Sequence, residues 1–269
     1  MWVKTGSSGG KFVLKPFAAQ AFWLSKAGNT AEEYEDAFEC SIPDSRFAVA
    51  DGATDSAFAG RWAQGLVKEF VASPPSSPCD LQKWLEPLQN AWRESIDWER
   101  LPWHGEEKAK VGAFSSLLGL AFIEGESSHA QTLHWSALAV GDSCLFQVRD
   151  DALQVAFPLE SAKQFGNRPL LLSSQPTRNQ RVWEAICFHE DDCQPDDQFF
   201  LMTDALAHWF LAHHEARANP WAALCGLKTQ EEFSSFVAAL RQAGLIRNDD
   251  TTLLMVRLDS VALNFRALI

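Results

Sequence analysis

The chain has 269 residues, of which 46% are hydrophobic, and it carries a net charge of −12. That length can bury a substantial core, and we interpret it as one domain spanning residues 1–269. The acidic balance argues against nucleic-acid binding, which needs clustered Lys and Arg. No apolar run reaches the roughly 20 residues of a membrane span, and the N-terminus lacks the apolar region of a signal peptide, so we expect a cytoplasmic protein without membrane contact.

Cysteine and histidine spacing argues against a disulfide framework or a zinc site. The six cysteines include no C-x-x-C pair, and several lie in apolar, strand-like runs: Cys40, Cys79, Cys144, Cys187, Cys193 and Cys225. We therefore expect reduced, mostly buried thiols. No H-E-x-x-H sequence occurs around His208, His213 and His214, which argues against zinc there.

The first half of the chain predicts a strand followed by two helices. The apolar run at 46–50 predicts a strand that ends in an Asp51-Gly52 turn. A helix capped by Asp55 or Ser56 should follow and should end in the proline-rich stretch at 73–78. A second helix is expected to begin near Asp80, with a kink where Pro87 interrupts its hydrogen bonding.

The second half is richer in strands. Apolar runs from 113 to 157, broken by short polar turns, predict a β-meander. Residues 158–180 are rich in Pro, Asn and Ser and predict a surface loop or flap. Three further strands are expected from VWEAICF, FFLMT and TLLMVRL, with a helix after Asp204 and another over 229–243 that starts with a Thr229–Glu232 capping box. The pattern predicts an α+β fold, a four-layer α-β-β-α sandwich of two antiparallel sheets flanked by helices.

Acidic residues stand at four separate places where a strand begins or ends. They are Glu35-Asp36, Asp51-Gly52, Asp204 and Asp249-Asp250. If these carboxylates meet at one edge of the sandwich, a pair about 4 Å apart repels by about 4 kcal/mol at an effective dielectric near 20. Such a group is tolerable mainly if its members are protonated, far apart or bound to a metal ion. Oxygen-only ligands favour Mg²⁺ or Mn²⁺ over zinc.

Each of these motifs also has an ordinary structural interpretation. Asp51-Gly52 alone is typical of a strand-to-helix turn, and Asp249-Asp250 could simply cap a loop. Asp142, in a Gly-Asp-Ser sequence, fits a tight hairpin as well as it fits a metal ligand. Glu35 lies in the acidic run EEYED, which by itself is typical of a solvated helix face.

The order of the short motifs resembles the type 2C (PPM) family of metal-dependent serine/threonine protein phosphatases. That family has E-D, D-G, G-D-S, T/S-D-G/A and D-N/D-x-T in sequence, and this chain has the following five matches over about residues 27–258: Glu35-Asp36, Asp51-Gly52, Gly141-Asp142-Ser143, Thr203-Asp204-Ala205 and Asp249-Asp250-Thr251-Thr252. The sequence D-G-A-T-D-S, followed by a helix, resembles a divergent bacterial-type subgroup more than the eukaryotic enzymes. The resemblance implies the protein phosphatase 2C-like sandwich.

The resemblance also implies roles for individual residues. Asp51 would bridge two Mg²⁺ or Mn²⁺ ions, the Gly52 carbonyl and Glu35 would serve one ion, and Asp204 and Asp249 would serve the other. Asp36 would support the site near the phosphate, and Asp142 would bind a third, weaker metal. The ions would activate a water for in-line attack on phosphoserine or phosphothreonine. The predicted catalytic residues are Asp51, Asp204 and Asp36.

Two positions depart from the eukaryotic members of the family. Their phosphate-binding arginine corresponds to Ala31 here, and the histidine that follows their D-G corresponds to Ala53. A charge-assisted contact to phosphate contributes roughly 1.5 to 3 kcal/mol, so its loss would weaken phosphate binding by about one to two orders of magnitude unless another cation replaces the arginine. Lys26 and Arg61 are the candidates that the sequence offers.

The leading hypothesis is a phosphatase that acts on phosphorylated proteins and opposes a cognate serine/threonine kinase. Two alternatives remain open at this stage. The changes to Ala31 and Ala53 favour a catalytically weak or silent domain that binds a phosphoprotein, whereas the intact acidic positions argue against silence. A hydrolase of small phosphorylated metabolites would use the same metal chemistry.

Overall fold

The computed structural model describes residues 17–125, 132–166 and 168–258. Its strands are β1 (Phe17–Leu24), β2 (Ala37–Ser41), β3 (Arg46–Ala50), β4 (Phe114–Ser115), β5 (Leu117–Gly125), β6 (Thr132–Val140), β7 (Cys144–Arg149), β8 (Ala152–Phe157), β9 (Leu172–Ser173), β10 (Cys187–Cys193), β11 (Gln198–Met202) and β12 (Thr251–Leu258). Its α-helices are α1 (Ala59–Ala72), α2 (Leu81–Glu94), α3 (Trp103–Val111), α4 (Asp204–Glu215), α5 (Pro220–Gly226) and α6 (Gln230–Gln242).

Ten strands form two antiparallel five-stranded sheets. The first sheet has the order β1-β12-β11-β7-β8, and the second has the order β10-β6-β5-β3-β2. The remaining strands, β4 and β9, pair with each other in a short ribbon.

Three apolar layers hold the sandwich together, and alternation along the strands explains them. In β3, Phe47 and Val49 point into the layer between the sheets, whereas Ala48 packs on the α1 side with Trp62. A third layer joins the first sheet to helices α4, α5 and α6. A strand buried on both faces must be apolar at consecutive positions, because its side chains alternate between the faces. The predicted α-β-β-α architecture is confirmed.

The structure confirms most of the predicted helices and corrects the start of the first one. Helix α6 has the expected capping box, and α2 begins at Leu81 directly after Asp80. Helix α1 begins at Ala59 instead of following a cap at Asp55 or Ser56. The Ser56 hydroxyl donates to the Ala53 carbonyl and closes a turn, so it is not available as a helix cap.

Two strand predictions were wrong. The 113–157 region is not one meander, because β6 belongs to the second sheet and β7 to the first. The Gly141-Asp142-Ser143 turn therefore crosses between sheets and is not a tight hairpin. In VWEAICF, Val182–Glu184 forms a 3₁₀ turn, and strand β10 starts only at Cys187. Strand β1 and helices α3 and α5 were not predicted. In the part of the chain that the structure describes, no helix is long and apolar enough to span a membrane.

Candidate active site

Strand register brings the acidic motifs to one end of the sandwich. Ala37 pairs with Ala50, so Asp36 and Asp51 lie side by side where β2 begins and β3 ends. In the other sheet Met202 pairs with both Cys144 and Leu253. The residues just outside those pairs include Asp142, Asp204 and Asp249, which therefore lie at the same end. The separated sequence positions thus converge because strand ends of both sheets meet there.

A cavity of about 340 Å³ opens at this end. Four carboxylates and two guanidiniums line it, together with small and apolar residues: Asp51, Asp142, Asp204, Asp249, Arg168, Arg247, Ala53, Gly166, Pro169 and Leu171. The 158–180 segment supplies four of these residues, so the predicted flap forms one wall. A polar cavity of this size accommodates a phosphoryl group.

Three carboxyl groups that line the cavity, those of Asp51, Asp142 and Asp204, have raised pKa values. Burial, followed by repulsion from Asp36 and Asp204, raises the pKa of Asp51 well above its usual range. Burial raises the pKa of Asp142 to about 7, and Asp204 adds to the effect. The pKa of Asp204 is also raised by burial, although the Arg247 guanidinium opposes the shift. Closely placed carboxyl groups hold protons at neutral pH unless a cation replaces them.

Asp36 lies behind the cavity wall in a buried hydrogen-bond network. Its Oδ2 accepts hydrogen bonds from Thr252 Oγ1 at 2.7 Å and from Thr203 Oγ1 at 2.9 Å. The Thr252 hydroxyl also contacts the hydroxyl of Tyr34. Burial raises the pKa of Asp36 well above its ordinary value, against the effect of these hydroxyl donors. This network ties β2 to β11 and β12 and so fixes the acidic end of both sheets.

Replacing Thr252 with valine should destabilise the protein by about 1–3 kcal/mol, because the change leaves Asp36 with one hydroxyl donor and Tyr34 without a partner. Urea unfolding at pH 7 measures the loss. Thr54→Val is the matched control, because Thr54 is exposed and its hydroxyl bonds to the half-buried side chains of Lys26 and Glu35, outside the buried network. An equal, small loss in both variants would contradict the buried network.

Glu35 and Gly52 meet next to the cavity without lining it. The Glu35 amide donates to Asp250 Oδ2 at 2.7 Å, and Asp250 Oδ1 accepts from the Lys26 amide. Glu35 lines a neighbouring groove of about 610 Å³ between the 32–35 segment and helices α1 and α2, and its carboxylate lies 4.0 Å from Lys26 Nζ. Its role as a metal ligand remains a prediction.

Gly52 permits the close approach of these two segments. A Cβ at this position would lie 2.5 Å from the Glu35 carbonyl oxygen and 3.0 Å from the Ala59 carbonyl carbon. Gly52→Ala should therefore cost about 1–3 kcal/mol in urea unfolding, because backbone atoms must shift. Gly226→Ala is the control, since nothing lies within 4 Å of its Cβ position. Equal stability of the two variants would show that the backbone around Gly52 shifts to accommodate a Cβ without a measurable loss of stability.

The two cations suggested to replace the missing arginine are placed elsewhere. Lys26 Nζ lies 4.0 Å from Glu35 Oε2, and Arg61 donates to the Ser95 carbonyl while lying over the Phe58 ring. Neither is among the residues that line the cavity. Sequence reasoning missed Arg168 and Arg247, whose surroundings, GNRP and IRNDD, read only as loop.

The donor chemistry of the cavity suits a hard divalent cation. In the described parts of the chain, Asp36 Oδ1 and Asp204 Oδ1 are buried without a hydrogen-bond partner. The acidic groups that line the cavity offer only oxygen donors, which Mg²⁺ and Mn²⁺ prefer. Across residues 17–125, 132–166 and 168–258, however, no three His, Cys, Asp or Glu side chains are already close enough to hold an ion. Binding would require the carboxylates to draw together.

Comparison with solved structures identifies the fold. The catalytic domain of the serine/threonine protein phosphatase PstP, in complex with two manganese ions, aligns with a TM-score of 0.58 and 13% identity over 91% of this chain and 99% of that chain. A bacterial serine phosphatase aligns with a TM-score of 0.58 and 12% identity over 90% of this chain and 97% of that chain. The PPM Ser-Thr phosphatase MsPP from Mycobacterium smegmatis, in complex with cacodylate, aligns with a TM-score of 0.52 and 18% identity. The alignment covers 90% of this chain and 98% of that chain.

No protein-family model and no curated protein sequence matches the chain. The low identity and the broad coverage together describe a divergent chain with the fold of the PPM-type serine/threonine phosphatases. The resemblance inferred from the five motifs is therefore confirmed in the fold.

Proposed function

We propose that this protein is a metal-dependent phosphatase that hydrolyses phosphoserine and phosphothreonine in proteins, as a single catalytic domain. One observation carries the proposal: four carboxylates from separate motifs line one cavity at the strand ends of a PPM-type fold. The raised pKa values of Asp51, Asp142 and Asp204 support it, because a binding site for cations is the arrangement that relieves such repulsion.

Asp51, Asp204 and Asp249 would hold two Mg²⁺ or Mn²⁺ ions, with Glu35 and the Gly52 carbonyl at the edge of the site. Asp142 would take a third, weaker ion. When bound, these ions supply Lewis acidity and a water of lowered pKa. Asp36 acts from behind the wall, where its hydrogen bonds to Thr203 and Thr252 fix the spacing of the sheets.

The chain's own residues also shape the substrate pocket. Arg168, Pro169 and Leu171 bring the flap against the carboxylates and cover one side of the cavity. Ala53 lines the cavity where eukaryotic members of the family have a histidine, so leaving-group protonation must come from solvent or from a carboxyl group. Asp142, whose pKa is raised to about 7 in the metal-free protein, would supply that proton only while no third ion is bound to it.

The test compares substrates under matched metal conditions. Phosphoserine and phosphothreonine peptides, phosphorylated sugars and para-nitrophenyl phosphate are each offered with Mn²⁺, with Mg²⁺ and with a chelator. We expect metal-dependent release of phosphate, with kcat/KM highest for the peptides. Preference for the sugars would support the small-molecule hydrolase instead. A folded protein inactive with either metal would support a phosphoprotein-binding domain.

A phosphatase of this kind would act in the cytoplasm on the products of a serine/threonine kinase. The proposed partner is therefore a phosphorylated protein, and the cognate kinase would be one that phosphorylates the same sites.

A further inference from the structure

Two arginines reach the carboxylate cavity from positions that the family motifs do not include. Arg168 comes from the flap, and Arg247 from the loop between α6 and β12. One nitrogen of Arg247, Nη2, donates to Asp204 Oδ2. The Arg247 side chain is nevertheless 51% exposed, whereas that of Asp204 is 10% exposed. The guanidinium is thus anchored at one nitrogen, and donors remain for a ligand in the cavity.

The net charge of the cavity determines whether a phosphate can bind there. When ionised, the four carboxylates and two guanidiniums that line the cavity leave a net charge of −2. A phosphate monoester carries about −1.5 to −2 at neutral pH and would be repelled. Two divalent ions would change the charge of the cavity to +2. Arg247 would then be a fixed cation beside the ions that can recognise phosphoryl oxygens directly.

The two carboxylate oxygens of Asp204 have different surroundings, and this difference supports the role of Arg247. Oδ2 holds Arg247, and Oδ1 is buried without a partner among the described residues. Oδ1 therefore remains for an ion while Oδ2 aims the guanidinium. An arginine anchored by a carboxylate loses less rotamer freedom on binding than a free one, and its planar fork matches the oxygens of a phosphate. Arg168 is exposed, and among the described residues it has no comparable anchoring carboxylate.

We propose that Arg247 positions the phosphoryl group of the substrate and provides the contact for which position 31 offers only alanine. The inference rests on the proposed phosphatase function and adds to it the residue that binds the phosphate. It also assigns the substrate group recognised at this wall of the cavity, a phosphate monoester dianion.

The experiment uses Arg247→Ala and Arg247→Lys, with Arg257→Ala as a matched control. Arg257 also pairs with an aspartate, Asp196, at 3.2 Å, and its side chain is 56% exposed. It lies near the far end of β12, roughly 25 Å from the cavity at about 3.3 Å per residue. Four quantities are measured: with Mn²⁺ present, KM and kcat for para-nitrophenyl phosphate and the inhibition constant of inorganic phosphate, and by calorimetry the affinity for Mn²⁺.

We expect Arg247→Ala to raise both KM and the phosphate inhibition constant roughly 10- to 100-fold. Lysine should restore part of the loss because it keeps the charge without the fork. Mn²⁺ affinity should stay equal or increase, because the variant removes a cation that competes for Asp204. Weaker Mn²⁺ binding with an unchanged phosphate inhibition constant would overturn the proposal and make Arg247 a purely structural residue.

Calorimetry distinguishes failure of the proposed phosphatase function from failure of the inference about Arg247. If the wild-type protein hydrolyses nothing with either metal, binding of inorganic phosphate in the presence of Mn²⁺ decides the question. Phosphate binding that is lost in Arg247→Ala and kept in Arg257→Ala would support the inference without catalysis. Equal binding by both variants, or no binding by the wild-type protein, would overturn it.

Discussion

Replacing Asp51 with asparagine should reduce metal-dependent hydrolysis of para-nitrophenyl phosphate about 10³-fold. Asp51 lines the cavity and lies within electrostatic reach of four other carboxyl groups, Asp36, Asp142, Asp204 and Asp249. An amide keeps the shape and loses the negative charge that holds the ions. Lewis-acid activation contributes several kcal/mol to such a reaction, and each 1.36 kcal/mol is a factor of ten in rate.

The matched control is Asp55→Asn, which makes the same chemical change four residues later in the same loop. Asp55 is exposed and is not among the residues that line the cavity. The control should retain wild-type kcat and KM. Without metal, Asp51→Asn should unfold at an equal or higher temperature than the wild type, because it removes a buried, repelled charge. Full activity in Asp51→Asn would contradict the assignment of this cavity as the active site.

The sequence allowed the acidic end of the fold to be predicted because strand ends are marked by local patterns. The buried strand before Asp51 and the one after Asp250 are both continuous apolar runs, typical of strands covered on two faces. Charged residues immediately beside such runs can lie only at the rim of a sheet. Their convergence then follows once two sheets are packed face to face.

The crossing at Gly141-Asp142-Ser143 could not be predicted from local sequence. A strand, a short turn and a second strand look the same whether the second strand pairs with the first or joins another sheet. Gly141 has a φ of +98°, and a Cβ there would lie 2.7 Å from Ser116 Cβ. Ser116 lies between β4 and β5, so this close approach depends on a tertiary contact that the local sequence of the turn does not reveal.

The cationic side of the cavity was also beyond sequence reasoning. Arg168 and Arg247 lie in loops, where charged residues are common and follow no period. The candidates that the sequence offered, Lys26 and Arg61, do not line the cavity. In the structure Arg61 is directed by α1 towards Ser95 on the neighbouring helix end, whereas Arg247 reaches Asp204 across 43 positions of the chain.

Mn²⁺ should stabilise the protein more strongly as the pH rises from about 4 to 8. In the metal-free folded state the pKa values of Asp36, Asp51, Asp142 and Asp204 are raised, so the folded state binds more protons than the unfolded state. The free energy of unfolding must therefore fall as the pH rises above the ordinary carboxyl pKa, and for Asp142 the loss is complete above about pH 7.

The rise in the pKa of Asp142 alone, from the ordinary 3.8 to about 7, corresponds to about 4 kcal/mol, or roughly 10 °C in Tm. Mn²⁺ displaces these protons and reverses the loss, so the difference in Tm with and without Mn²⁺ should widen with pH. Differential scanning fluorimetry from pH 4.5 to 8, with Mn²⁺ or a chelator, measures it. Asp51→Asn should flatten both trends, whereas Asp55→Asn should follow the wild type. A metal-free Tm independent of pH would mean that the carboxylates are too far apart to interact, and hence too far apart to share ions.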